Sequence, residues 1–203
     1  MIKGNYFSAA TQVGAIALSI ILFCCCKQVG NREKKLSDIS LSSPFGDKIS
    51  FSEIKNQKAT VLVFLKPDCP LSQNYTLTLN TLYNKYNADD ILFTGIIPAH
   101  DVSNEEATDY ISRYKITFPV LMDKENETVN YFKATCTPEV FVVDESESVL
   151  YKGAIDNWAI SLGKHRTVIT ENYLSDALDK IKHNLPVAVK ETKAVGCVIE
   201  KIN

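Results

Sequence analysis

Residues 59–72 read ATVLVFLKPDCPLS. The run from Ala59 to Leu65 is almost wholly apolar and β-branched. It is bounded by polar Asn56 to Lys58 and by Pro67, which predicts a strand buried on both faces. Beyond the turn, Leu71, Tyr75, Leu79, Leu82 and Tyr86 follow at spacings of four, four, three and four, the stripe of a helix. Cys69 stands at the joint between strand and helix. Unpaired N–H groups and the positive end of the helix dipole there favour a thiolate over a thiol. Pro70 suits the first helical position, where no N–H is needed. Ser72 is placed to hydrogen-bond the sulfur from the next turn. The plain alternative for Cys69 is a small buried hydrophobe, the commonest fate of a free cysteine.

Outward from this joint the pattern alternates. Toward the N-terminus, Ile39 to Ile54 holds a turn at Gly46-Asp47 between short alternating stretches, a hairpin-like entry. Toward the C-terminus, Ile91 to Pro98 is a second buried strand. Ser103 and Glu106 form a capping box that starts a second helix, with Ala107, Tyr110, Ile111 and Tyr114 on its apolar face. Phe118 to Met122 reads as a short strand and Asn126 to Lys133 as a short helix. Glu139 to Val143 and Val149 to Gly153 make two strands around Asp144 to Ser148, and a closing helix runs from about Glu171 to His183. This order predicts an α/β domain with a central mixed sheet flanked by helices and a C-terminal extension.

A second motif narrows the class. Ala134-Thr135-Cys136-Thr137-Pro138-Glu139 runs into the apolar strand Val140 to Val143 and ends on Asp144. With Cys69 before its helix, this resembles the thioredoxin-like superfamily. The likeness is to its redoxin branch, related to AhpC/TSA peroxiredoxins and to TlpA- and ResA-type lipoprotein oxidoreductases. The resemblance implies a thioredoxin-like fold, a cis bond before Pro138, and a Thr137 backbone that contacts whatever disulfide or substrate binds at Cys69. Gly153 to Asp156, Leu162 to Lys164 and the tail Val195 to Ile199 extend it over about residues 36–200. They are similar to a redoxin subgroup of bacterial lipoproteins and of proteins fused to cytochrome-like modules.

Departures from the better-known relatives limit what carries over. A dithiol oxidoreductase has Cys-x-x-Cys, and the second position here is Ser72. A peroxiredoxin has threonine where Lys66 stands and an arginine beside its cysteine, whereas the arginines here are Arg32, Arg113 and Arg166. A Sco-type copper chaperone has a cysteine pair that is absent. The missing partner thiol must come from elsewhere. Cys136, next to the Thr137-Pro138 dipeptide, is the first choice as resolving cysteine, and Cys197, in a glycine-containing tail, is the second. Of the histidines, His100 follows a strand at the loop edge of the sheet, His165 lies in a basic loop, and His183 sits at a helix C-terminus. They form no cluster with cysteine and carboxylate, so neither a metal nor another cofactor is expected.

The first residues read MIKGNYFSAATQVGAIALSIILFCCCKQVG, with Lys3, an apolar run from Val13 to Phe23, and three cysteines. This has the parts of an export signal. Its ending resembles the lipobox of bacterial lipoproteins, with Cys25, or Cys26 behind it, as the lipidated residue; an uncleaved signal anchor is the other reading. The expected plan is a signal peptide at 1–26, a tether at 27–38, the redoxin domain at 39–190 and a tail at 191–203. The domain would face the extracytoplasmic side of a bacterial envelope, held to the membrane by lipid. A net charge of −2 gives no basic footprint for nucleic acid. Outside the leader cluster the cysteines are Cys69, Cys136 and Cys197, an odd number that argues against a purely structural disulfide framework.

The expected activity is therefore thiol-disulfide exchange through Cys69, with Ser72, Thr137 and Pro138 completing the site and protein disulfides or thiols as substrates. The alternatives are a peroxiredoxin-like peroxidase acting on peroxide and a non-catalytic partner-binding module.

Overall fold

A computed structural model describes residues 34–52 and 57–200. The leader and its cysteines, and with them the signal-peptide and lipidation assignments, lie outside the described residues. A 3-10 turn at Leu36–Asp38 leads into the hairpin β1 (Ser40–Ser42) and β2 (Lys48–Ser50). Then follow β3 (Ala59–Phe64), α1 (Pro70–Tyr86), β4 (Ile91–Pro98), α2 (Asn104–Arg113), β5 (Val120–Asp123) and α3 (Glu127–Phe132). The chain continues through β6 (Cys136–Thr137), β7 (Glu139–Val143), β8 (Val149–Gly153), β9 (Ala159–Ser161), β10 (Lys164–His165), α4 (Tyr173–Lys182) and β11 (Cys197–Val198).

Seven strands form the main sheet in the order β2-β1-β5-β4-β3-β7-β8. β3, β4 and β5 run parallel, while β7, β8 and β1 join antiparallel to their neighbours. The expected mixed sheet is therefore present, with β3 in its interior and every residue of β3 buried. A strand covered on both faces needs apolar side chains on both, and β3 divides its residues accordingly. Ala59, Val61 and Val63 enter one core with α1, α2 and α4, while Leu62 and Phe64 enter a second with Leu36, Ile39 and the α3 residues Val129 and Phe132.

Helix starts are fixed by local chemistry. Ser103 accepts from the Glu106 N–H at 3.1 Å while Glu106 accepts from Ser103 N–H at 2.8 Å, the reciprocal pair expected at α2. The buried Asp123 carboxylate accepts from the N–H groups of Glu127, Thr128 and Val129 at 2.7, 2.9 and 3.0 Å, which closes the start of α3. Phe118 lies ahead of β5, so that strand starts two residues later than its apolar run suggests. Among the described residues no helix is long and apolar enough to cross a membrane.

Candidate functional site

At the C-terminal end of β3 the chain leaves the sheet through Lys66, Pro67 and Asp68 and enters α1 with Cys69 as the capping residue. The turn is closed by Cys69 N–H donating to Lys66 O at 3.1 Å and by Lys66 N–H donating to Ser72 Oγ at 3.2 Å. The Ser72 hydroxyl expected on the sulfur instead accepts from the Lys66 amide, and Ser72 is fully buried. Ser72 still serves the thiol through its backbone N–H, which favours the Cys69 thiolate. Lys66 pairs with Asp101 at 2.7 Å and with Asp68 at 3.8 Å, so the Asp68 carboxylate beside the thiol faces a cation.

The Thr137–Pro138 peptide bond is cis, and its loop packs over the start of α1. Cys69 Sγ lies 2.9 Å from the Thr137 carbonyl oxygen, to which the protonated thiol donates. Thr137 Oγ1 is buried with no other hydrogen-bond partner, and the Thr137 side chain favours the Cys69 thiolate.

The tail completes the site. β11 pairs antiparallel with β6, placing Cys197 opposite Thr137 and Val198 opposite Cys136. The Cys197 thiol donates to Cys69 Sγ across 2.6 Å, both cysteines being free thiols. Gly196 makes this approach possible, since a Cβ there would overlap the carbonyl oxygen, carbon and nitrogen of Thr137. Of the two candidates read from the sequence, Cys197, the second choice, is among the described residues the one whose sulfur meets Cys69. Cys136, the first choice, is buried beside it in the ladder partner strand.

The three thiols differ sharply. Burial alone would push the Cys69 thiol up. The Cys197 thiol, the Ser72 N–H, the Thr137 side chain and the Cys197 N–H together outweigh burial and hold it below the ordinary cysteine value. Burial, then the hydrogen bond and charge of Cys69, push Cys197 up to about 12. Burial and the charge of Glu139 push Cys136 up to about 11. Thiolate character is concentrated on one sulfur, Cys69, which is only 1% exposed beneath the tail.

A polar brace behind the site carries no motif of its own. Tyr75, in the second turn of α1, donates to Asp156 Oδ1 at 2.6 Å, and the same oxygen accepts from Trp158 N–H at 2.8 Å. Trp158 packs edge-on against Tyr75 and stacks on His165 at 4.8 Å between ring centroids. His165, read from sequence as part of a basic loop, thus belongs to a small hairpin, β9–β10, that folds back beside the cis-proline loop. His100 lies 3.5 Å from Asp101 and 3.9 Å from Glu200, and His183 caps α4, where its ring meets Asp179 O at 2.7 Å. The sole sequence signal for Gly196 is its place before Cys197. Tyr75 was visible only as a member of the apolar stripe.

Solved structures share this fold over much of the chain. A hypothetical protein from Sinorhizobium meliloti aligns with a TM-score of 0.72 at 21% identity, over 83% of this chain and 93% of that one. An uncharacterized conserved protein from Geobacillus kaustophilus aligns with a TM-score of 0.72 at 24% identity, over 83% of this chain and 91% of that one. A putative thiol:disulfide interchange protein DsbE from Chlorobium tepidum aligns with a TM-score of 0.52 at 18% identity, over 59% of this chain and 82% of that one. These likenesses establish a thioredoxin-like fold. No curated protein sequence matches the chain. The AhpC/TSA family model matches residues 33–152, which take in β3, the Cys69 helix start and the cis-proline loop, and the chain therefore belongs to the AhpC/TSA family.

Proposed function

We propose that this protein is an exported thiol-disulfide oxidoreductase in which Cys69 is the nucleophile and Cys197 the resolving thiol. The observation that carries the proposal is the 2.6 Å approach of the two sulfurs at the start of α1, against the carbonyl of Thr137. In the forward step the Cys69 thiolate attacks one sulfur of a protein disulfide. A mixed disulfide forms and the other substrate sulfur leaves as a thiolate. Cys197, once deprotonated by the departing thiolate, then attacks Cys69 Sγ and releases the reduced substrate, leaving a Cys69–Cys197 disulfide. The asymmetry of the two thiols suits this division, because an attacking thiol needs thiolate character at ambient pH and a resolving thiol can wait for a base.

Export and anchoring rest on the leader, with its charged start, apolar run and Cys25 or Cys26 as the lipid acceptor. The reading assigns residues 1–26 to the signal, 27–38 to a tether, 39–190 to the catalytic domain and 191–203 to a tail that carries Cys197. Insulin reduction with dithiothreitol as donor tests the activity. Cys69→Ser should abolish it, and Cys197→Ala should stall it at a mixed disulfide. Wild-type protein inert toward insulin and toward scrambled ribonuclease, while losing its Cys69 thiol within seconds in hydrogen peroxide, would sink the reading in favour of a peroxidase.

A further inference from the structure

The tail crosses the mouth of the site as a strand fixed at two points. At one, Thr192 N–H donates to Lys152 O at 3.0 Å and the Thr192 hydroxyl meets Tyr151 Oη at 2.6 Å. At the other, Ile199 is buried and its N–H donates to Thr135 O at 3.0 Å. Between them residues 193–198 are half-buried or exposed, and only Cys197 and Val198 pair with β6. A ladder of this kind is made by backbone groups, and a strand edge offers the same N–H and C=O groups to any extended chain. Two contacts make the register selective. The Cys197 sulfur sits on Cys69, and Gly196 lies so close to the Thr137 backbone that any side chain would collide with it. Cys69 beneath is almost wholly covered.

We infer that residues 195–199 occupy, from within the chain, the place of a cysteine-bearing polypeptide partner, an extended segment whose cysteine sits opposite Thr137 and is preceded by glycine. The inference rests on Cys69 being the nucleophile of the reading above. Tail and partner compete for one edge, so the partner enters only as β11 leaves. Once seated, the partner's disulfide sulfur takes the place of Cys197 Sγ. The Cys69 thiolate bonds to that sulfur, and the second sulfur of the partner's disulfide departs with the electron pair.

The test uses the full-length, fully reduced protein and two probe peptides, Ala-Val-Gly-Cys-Val-Ile-Glu and Ala-Val-Val-Cys-Val-Ile-Glu, each carried as a 2-pyridyl disulfide. Attack on the peptide sulfur releases pyridine-2-thione, and Cys69, Cys136 and Cys197 fall on separate tryptic peptides, 59–85, 134–152 and 194–201, so each adduct is located. Gly196→Val, which forbids the tail its register, should capture the glycine peptide on Cys69 at least tenfold faster than wild type does. It should also prefer that peptide at least tenfold over the valine one. Should Gly196→Val fail to fold by circular dichroism, Ile199→Ser, which unseats the buried end of the tail, carries the same comparison. Equal rates for the two peptides, or a wild-type rate equal to that of the opened variant, overturn the inference even when the small reagent 2,2′-dithiodipyridine labels Cys69 readily. Failure of that reagent to label Cys69 in the opened variant overturns the nucleophile assignment itself, and the inference with it.

Discussion

At the scale of single residues, the site is a contest between burial and hydrogen bonding at one sulfur. Cys69 is buried enough that desolvation alone would keep it protonated, and the donors around it reverse that. The Cys197 thiol is the largest of those opposing contributions. Removing a donor to the thiolate destabilises the charged form, so Cys197→Ala should raise the midpoint of Cys69 alkylation by iodoacetamide measured from pH 5 to 10. Cys197→Ser, which keeps a donor, should move it less. An unchanged or lowered midpoint in Cys197→Ala would mean that the tail thiol does not stabilise the thiolate. Cys69 was legible in the sequence because strand, turn and helix converge on it. The role of Ser72 was not, since its spacing from Cys69 does not say whether hydroxyl or amide faces the sulfur.

At the scale of elements, α1 is held to the segment after β8 by Tyr75 and Asp156 as well as by apolar packing. Asp156 is buried, and Tyr75→Phe leaves one of its oxygens short of a strong donor. Loss of such a bond costs about 1–3 kcal/mol, which urea unfolding of the variant should show. Ser103→Ala removes the cap of α2 and should cost about 1 kcal/mol, read by the same urea unfolding. The long elements announced themselves through period and caps, as with β3, α1 and the Ser103–Glu106 box. The two-residue strands β6 and β11 did not. A strand of that length has no periodicity to read, so the place of Cys136 beside the Thr137-Pro138 dipeptide made it the first choice over Cys197, whose pairing with β6 only the fold reveals.

At the scale of the molecule, the reduced protein holds several buried or half-buried acids in neutral form, and this ties its stability to pH. Cys136 is pushed up to about 11 and Cys197 and Tyr151 to about 12, burial being the first cause for each. In the unfolded chain a cysteine ionises near pH 8.5. Above that pH the unfolded state has lost protons that the folded state keeps, so the cysteine contribution is fully present below pH 8.5 and is lost as pH rises toward 11 and 12. Thermal melts of the reduced protein should therefore fall steadily between about pH 8.5 and 11. Cys136→Ala should flatten part of that fall, and an identical slope in the variant would contradict the assignment. Cys69, whose thiol is held low, contributes with the opposite sign, losing stability as pH drops through its folded value. The mixed sheet was readable from the order of the apolar runs, and the burial of β3 on both faces from its unbroken apolar character, whereas the division into two cores was not. The closure of the site by its own tail is a long-range pairing that hydropathy does not encode.

Redox partnership between Cys69 and Cys197 is open to direct measurement. Oxidise the full-length protein with stoichiometric diamide, block free thiols with iodoacetamide, digest with trypsin and identify the disulfide-linked peptides by mass. Peptide 59–85 should be found joined to peptide 194–201, with Cys136 alkylated once the protein is unfolded. A bridge between Cys69 and Cys136, or Cys69 and Cys197 both recovered as alkylated thiols, would contradict it.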